Sequence, residues 1–161
     1  MGHAITGRAD SKPTVSIDLE RVQLQRLMER SSGSPNVAVA ILDGPVAIDH
    51  PGLAGAQIRP VGGSTDPRCT RVDSYACRHG TFIAGILAAR RDSGAPAICP
   101  GCTLLVRPIF WETTGAGGTP SATPEDLADA IVECVRSGAR LLNLSPDPPI
   151  GVVGRGEMAV V

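Results

Sequence analysis

Three polar residues, Asp43, His79 and Asn143, each interrupt or border an apolar stretch, and their types suit proton transfer and anion stabilisation. Asp43 closes the run NVAVAILD, 36–43, and is followed at once by Gly44 and Pro45. Asp, Gly and Pro are common turn residues, so a strand-ending turn is one reading. The other is that a parallel sheet aims this acid at a site beyond the carboxyl ends of its strands. His79 stands at the mouth of the apolar segment GTFIAGILAAR, 80–90. There Gly80 lets backbone approach closely, and Thr81 can satisfy amides at a helix end. A carboxylate beside an imidazole fixes its tautomer and stabilises the imidazolium, which is the orienting half of a nucleophile-activating triad. An asparagine amide can donate to a developing oxyanion. Each residue also has a purely structural use, as turn former, helix-start histidine or strand-end hydrogen bonder.

The elements that would position them follow from periodicity. Residues 1–15 show no pattern and read as a flexible lead-in. Apolar residues at helical spacing among charges predict a helix over 17–30, and SSGSP, 31–35, ends it as a linker. The organisation is therefore a lead-in and helix over 1–35 and a domain over 36–161. The segment 36–43 reads as a buried parallel strand. Residues 55–78 are loop-rich, with one short strand near AQIRPV. Segment 80–90 is apolar on nearly every side and predicts a buried helix. TLLVRPIF, 103–110, is a second core strand and ARLLNLS, 139–145, a third. Between them PEDLADAIVECVRSG, 124–138, is the cleanest helix, with Thr123 as N-cap, Pro124 in the first turn and Gly138 closing it. Strands alternating with helices imply crossover connections and a parallel α/β sheet.

Composition narrows the function classes. A net charge of −1 gives no electrostatic case for nucleic acid or an acidic membrane surface. No apolar run reaches the length of a membrane span. The N-terminus lacks the apolar core of a secretory signal, so a cytoplasmic location is expected, although Gly2 and Thr6 formally match a myristoylation pattern. The 5 cysteines cannot all pair, and without an export signal a reduced state is the expectation. Cys99 and Cys102 have the spacing of a redox motif or half a zinc site. With Cys69 and Cys77 they leave unlinked thiols, a disulfide and a four-thiol zinc site as alternatives.

DGPVAIDHPGL, 43–53, resembles the aspartate segment of the subtilisin-like serine peptidases. HGTFIAGILAA, 79–89, is similar to the histidine helix of that family throughout. ICPGCTLLVRPIF, 98–110, resembles the strand that follows, and LLNLS, 141–145, the strand bearing the oxyanion-hole asparagine. The order of the segments also fits. The resemblance covers roughly 36–145. It implies a three-layer parallel sheet flanked by helices, with Asp43 as orienting carboxylate, His79 as general base and Asn143 as oxyanion donor. His50, in the His-Pro turn, is implied to be structural. The partner implied is a peptide or protein substrate. No cofactor is implied; structural calcium occurs in the family, but no residue here is assignable to it.

The departures shape the functional expectation. The family's nucleophile lies in a Gly-Thr-Ser-x-Ala-x-Pro segment, and these 161 residues contain none. Ser145, two residues from Asn143 on a strand, shares its face but is not presented as a helix-start serine is. The expectation is an N-terminal part of a serine endopeptidase, truncated after the Asn-bearing strand and inactive alone, with a second chain as one possible source of the serine. The alternative is a catalytically dead peptide-binding pseudopeptidase or partner module, and a thiol or zinc module is a third reading. The Asn143 strand is expected to leave a bare edge, and GEMAVV, 156–161, to begin a helix. Asp43-Gly44-Pro45 replaces the family's Asp-Thr-Gly, a variant that resembles subtilases trimming ribosomally made peptides. Pro146 stands where the family has a cleft-forming residue.

Overall fold

The computed structural model describes residues 19, 22–62, 66–112 and 121–145. Four strands form one parallel sheet: β1 (Ala38–Asp43), β2 (Gln57–Pro60), β3 (Thr103–Pro108) and β4 (Leu141–Leu144), in the order β2-β3-β1-β4. Helices α1 (Leu24–Arg30), α2 (Tyr75–Ala88) and α3 (Pro124–Arg136) complete the described elements, with a 3-10 turn at Pro51–Leu53. Among the described residues no helix is long and apolar enough to cross a membrane.

β1 is the centre of the molecule because it has no polar face to expose. All six of its residues are buried, and it pairs with β3 on one side and β4 on the other. A strand's side chains alternate between faces, and the two core clusters divide accordingly. Ala38, Ala40 and Leu42 pack with Leu105 and with Ala130 and Cys134 of α3. Val39 and Ile41 pack with Leu104, Val106 and with Ala84 and Ala88 of α2. The result is the expected three-layer α/β architecture, with α2 on one face and α3 on the other. An ion pair between Arg107 Nε and Glu133 Oε2 (2.5 Å) ties β3 to α3.

Helix α3 forms where its sequence signals place it. The Thr123 hydroxyl accepts from the Asp126 N–H while the Asp126 carboxylate accepts from the Thr123 N–H, a reciprocal cap ahead of Pro124. Gly138 adopts φ +89°, the left-handed conformation that closes a helix. β4 pairs on one side only among the described residues, and Leu141 is 58% exposed, so the bare edge is present as expected.

Four expectations are corrected. The helix carrying His79 begins at Tyr75 rather than at residue 80, because Ser74 caps it by accepting from the Cys77 N–H (3.2 Å). That helix is not buried all round: its small residues Ala76, Gly80, Ala84 and Ala88 face inward, which leaves Phe82 52% exposed. The helix before the linker spans Leu24–Arg30 and buries none of its residues. Finally, Cys69 and Cys77 form a disulfide, with Cα atoms 5.5 Å apart, while Cys99, Cys102 and Cys134 are free. The chain returns onto the first turn of α2 and brings the two sulfurs together, a closure their spacing does not reveal. Two of the thiols of the four-thiol zinc arrangement are thus spent on each other. The lead-in 1–15, Gly2, Pro146 and the helix at 156–161 lie outside the described residues.

Closing the short Cys69–Cys77 loop restricts the unfolded chain by about 2.5 kcal/mol on the loop-entropy model. Replacing both cysteines by Ala should lower the unfolding free energy in denaturant titrations by that order. Wild-type protein with and without a dithiol reductant should show the same gap, and coincident curves would rule the disulfide out as a stabilising tie.

Candidate active site

The parity that buries Val39 and Ile41 against α2 also directs Asp43, two residues on, to that side of the sheet. Asp43 is 1% exposed. A buried carboxylate needs donors, and it has them: Oδ1 accepts from the Gly44 N–H (2.6 Å), and His79 Nδ1 lies 2.9 Å from both oxygens. The strand end is held from the neighbouring strand as well. The N–H groups of Ile109 and Phe110 both donate to the Asp43 carbonyl, at 2.8 and 3.2 Å.

His79 is the fifth residue of α2 and reaches Asp43 because helix and strand touch backbone to backbone. A Cβ built on Gly80 would lie 2.5 Å from the Gly44 carbonyl oxygen and 2.6 Å from that of Pro45. A Cβ on Gly44 would lie 2.1 Å from the Ala76 carbonyl oxygen. The expected role of Gly80 in close approach is what the structure contains. Thr81 acts differently from expectation. Its hydroxyl accepts from the Ala47 N–H (2.9 Å), fastening the segment after β1 to α2 rather than filling a helix end. Tyr75, one turn before His79, stacks on the imidazole with centroids 5.9 Å apart and planes 16° off parallel. The His79 side chain keeps 22% exposure and lines a groove of about 1440 Å³ together with Tyr75, Phe82, Arg68 and Arg78.

Asn143 lies on the same side of the sheet. It is in register with Ile41, and partners in a parallel pair share a face. It is one strand over and two positions back from Asp43, and its amide donates to the Ser145 hydroxyl (3.2 Å). The structure thus joins Asp43 to His79 directly and brings Asn143 to the same face without a hydrogen bond to either among the described residues. His50 accepts from the Gly52 N–H through Nδ1 (3.0 Å) and caps the 3-10 turn, a structural use.

Two contributors escape a reading of the sequence. Ser74 is signalled, as a capping-type residue ahead of an apolar helix, but the stronger His79-Gly80-Thr81 pattern masks it. Glu112 carries no local signal at all. Its carboxylate accepts from the N–H groups of Thr70 (2.9 Å) and Arg71 (2.8 Å) and from the hydroxyls of Thr70 and Ser74. Partial burial opposes ionisation of Glu112, but these hydrogen bonds outweigh it and hold the carboxyl below its ordinary value. Glu112 also lies near the two bridged sulfurs, yet the sulfurs are bonded to each other and four donors occupy the carboxylate, an arrangement that does not suit a metal ion. Burial, with Cys102 beside it, pushes the Cys99 thiol up to about 11, so it is a poor nucleophile at neutral pH.

Comparison with known proteins adds sequence and shape to this geometry. A model of the subtilase family matches residues 34–151. Fervidolysin of Fervidobacterium pennivorans is 34% identical over 125 residues, which are 75% of this chain and 18% of that protein. Among solved structures, a mutant of the protease domain of PatA superposes with a TM-score of 0.62 at 35% identity, over 70% of this chain and 39% of that one. The prenylagaramide maturation protease PagA gives 0.57 at 30% identity, over 75% and 38%. The chain therefore spans well under half the length of each of these proteins.

Substitution of Gly80 by Ala should cost on the order of 1–3 kcal/mol, because backbone rather than a flexible side chain must yield. Equilibrium unfolding checks this, and a neutral Gly80→Ala would show that strand and helix are not in backbone contact. Glu112 also sets a sign for acid behaviour. A group held below its unfolded value of 4.5 contributes stability above that pH and loses it as the pH falls through the folded value. The unfolding midpoint should drop on acidification below about pH 4.5, and Glu112→Gln should flatten the drop.

Proposed function

The chain belongs to the subtilase family, and from that premise we propose that it carries the carboxylate, the general base and an oxyanion donor of a serine-type peptidase, in Asp43, His79 and Asn143. The observation that carries this reading is the buried Asp43 carboxylate bound at 2.9 Å to Nδ1 of a part-exposed His79. A carboxylate on Nδ1 leaves Nε2 as the nitrogen that exchanges protons at the reacting centre. Nε2 takes the proton of a serine hydroxyl as it attacks a peptide carbonyl, and returns it to the leaving amine. The Asp43 charge stabilises the imidazolium between these steps. Asn143 releases Ser145 and donates its amide to the oxyanion of the tetrahedral intermediate, a contribution of about 10²–10³ in rate at such sites.

The serine itself comes from outside these 161 residues, from further chain or from a second polypeptide. Loss of the serine costs about 2 × 10⁶ in kcat in subtilisin, so the 161-residue chain alone should be inert towards peptides. The substrate class is peptide or protein. The solved relatives of 30% identity or more include the prenylagaramide maturation protease PagA, and with the Asp43-Gly44-Pro45 variant this favours a precursor peptide trimmed during maturation as substrate.

The test is turnover of a fluorogenic peptide. The 161-residue chain should stay at background, and a polypeptide or mixture that supplies the serine segment should restore turnover together with labelling by a fluorophosphonate. In that active form Asp43→Asn should lower kcat by about 10⁴ and His79→Ala by about 10⁶. Turnover that survives His79→Ala would sink the assignment. Peptide binding without turnover in every serine-bearing form would instead favour a pseudopeptidase.

A further inference from the structure

We propose that Glu112 is a positioning residue for His79, acting through the Ser74 cap of α2; this rests on the pairing of Asp43 with His79 argued above. One short segment following β3 holds both halves of that pair. Its Ile109 and Phe110 N–H groups bind the Asp43 carbonyl, and two residues later Glu112 turns onto the loop that leads into α2.

The link to the helix is a relay of two hydrogen bonds. The Ser74 hydroxyl donates to Glu112 Oε1 (3.2 Å), and Ser74 Oγ in turn accepts from the Cys77 N–H (3.2 Å). A hydroxyl that donates to a carboxylate is a stronger acceptor, so the charge of Glu112 on the Ser74 hydroxyl reinforces the bond from that hydroxyl to the helix. Thr70 and Arg71 add three more donors and clamp the loop from the other side. The helix so anchored carries His79 two residues after Cys77, in the turn where Gly80 lies on the backbone of Gly44 and Pro45. A small tilt of α2 there moves the imidazole against the Asp43 carboxylate, whose backbone is held by the segment after β3. The Cys69–Cys77 disulfide joins the same loop to the same turn, a covalent tie in parallel with the polar one.

A residue that merely tethered a loop would change stability and leave the imidazole untouched. The readout is therefore the ¹⁵N signals of the His79 ring in the 161-residue chain, which report tautomer and Nδ1 hydrogen bonding. They are recorded well below each variant's unfolding transition, with Asp43→Asn marking the broken pair. Glu112→Ala should displace the His79 signals in the Asp43→Asn direction, and Glu112→Gln, which keeps one acceptor oxygen, should displace them less. Ser74→Ala should give a displacement of the same sign. The Glu112→Ala/Ser74→Ala double variant should exceed the larger single effect by little, as expected for one pathway. Wild-type His79 signals in folded Glu112→Ala and Ser74→Ala would overturn the proposal, and Ser74→Ala decides alone if Glu112→Ala does not fold. Unchanged signals in Asp43→Asn would be a separate failure, overturning the Asp43–His79 pairing and the functional reading with it.

Discussion

A carboxylate removed from water has to be met by donors, and the end of β1 is organised around meeting the one on Asp43. Leaving such a group buried and unpaired costs about 3–5 kcal/mol, a large share of a domain's stability. Asp43 is satisfied by its own neighbour Gly44 and by His79. No buried side-chain nitrogen or oxygen among the described residues lacks a partner. The imidazole is thus part of the core's polar accounting as well as the exposed end of a site. A ring held by packing and a fixed acceptor is pre-oriented, as the general-base role proposed for His79 needs.

Meeting that carboxylate imposes conditions on the elements around it. The helix must come close enough for an imidazole to reach the strand end, which fixes Gly44 and Gly80 as residues without side chains at the point of contact. It must also present small residues to the sheet along its length, which Ala76, Ala84 and Ala88 do. The larger Phe82 and Tyr75 are then turned outward, and they line the groove beside His79. An apolar surface beside the imidazole is thus a geometric consequence of close helix–sheet packing. On the other face the central strand is itself small at Ala38 and Ala40, and α3 packs Leu127, Ile131 and Cys134 into that cluster.

The opening of α2 is where local and long-range interactions meet. Its cap is local, Ser74 to Cys77, but the cap is backed by Glu112, which arrives from beyond β3, and by the disulfide to Cys69. Three kinds of bond thus converge on one helical turn. The open edge of β4, with exposed Leu141 and Leu144, shows the opposite condition. It has backbone groups and apolar side chains that the described residues do not cover, as suits a chain spanning well under half the length of its solved relatives.

The sequence alone determined the strands and helix α3 with its cap and closing glycine, which depend on short-range periodicity and local capping residues. The pairing of Asp43 with His79, 36 residues apart, was implied by the family resemblance of two short motifs. The bare edge of β4 was also legible through the resemblance, because the family's further strands cover that flank of the Asn-bearing strand. The start of α2 at Tyr75, the outward Phe82, the Cys69–Cys77 bond and the role of Glu112 were decided only in three dimensions. The Glu112 contacts and the outward Phe82 depend on how distant segments pack, whereas the Ser74 cap and the Cys69–Cys77 bond are short closures whose local signal fits more than one outcome. An eight-residue cysteine spacing fits a bridge or two free thiols equally well, and a glutamate after a strand carries no mark of the donors it will meet. Sequence periodicity records which face a residue prefers; it does not record which distant segment will arrive to meet it.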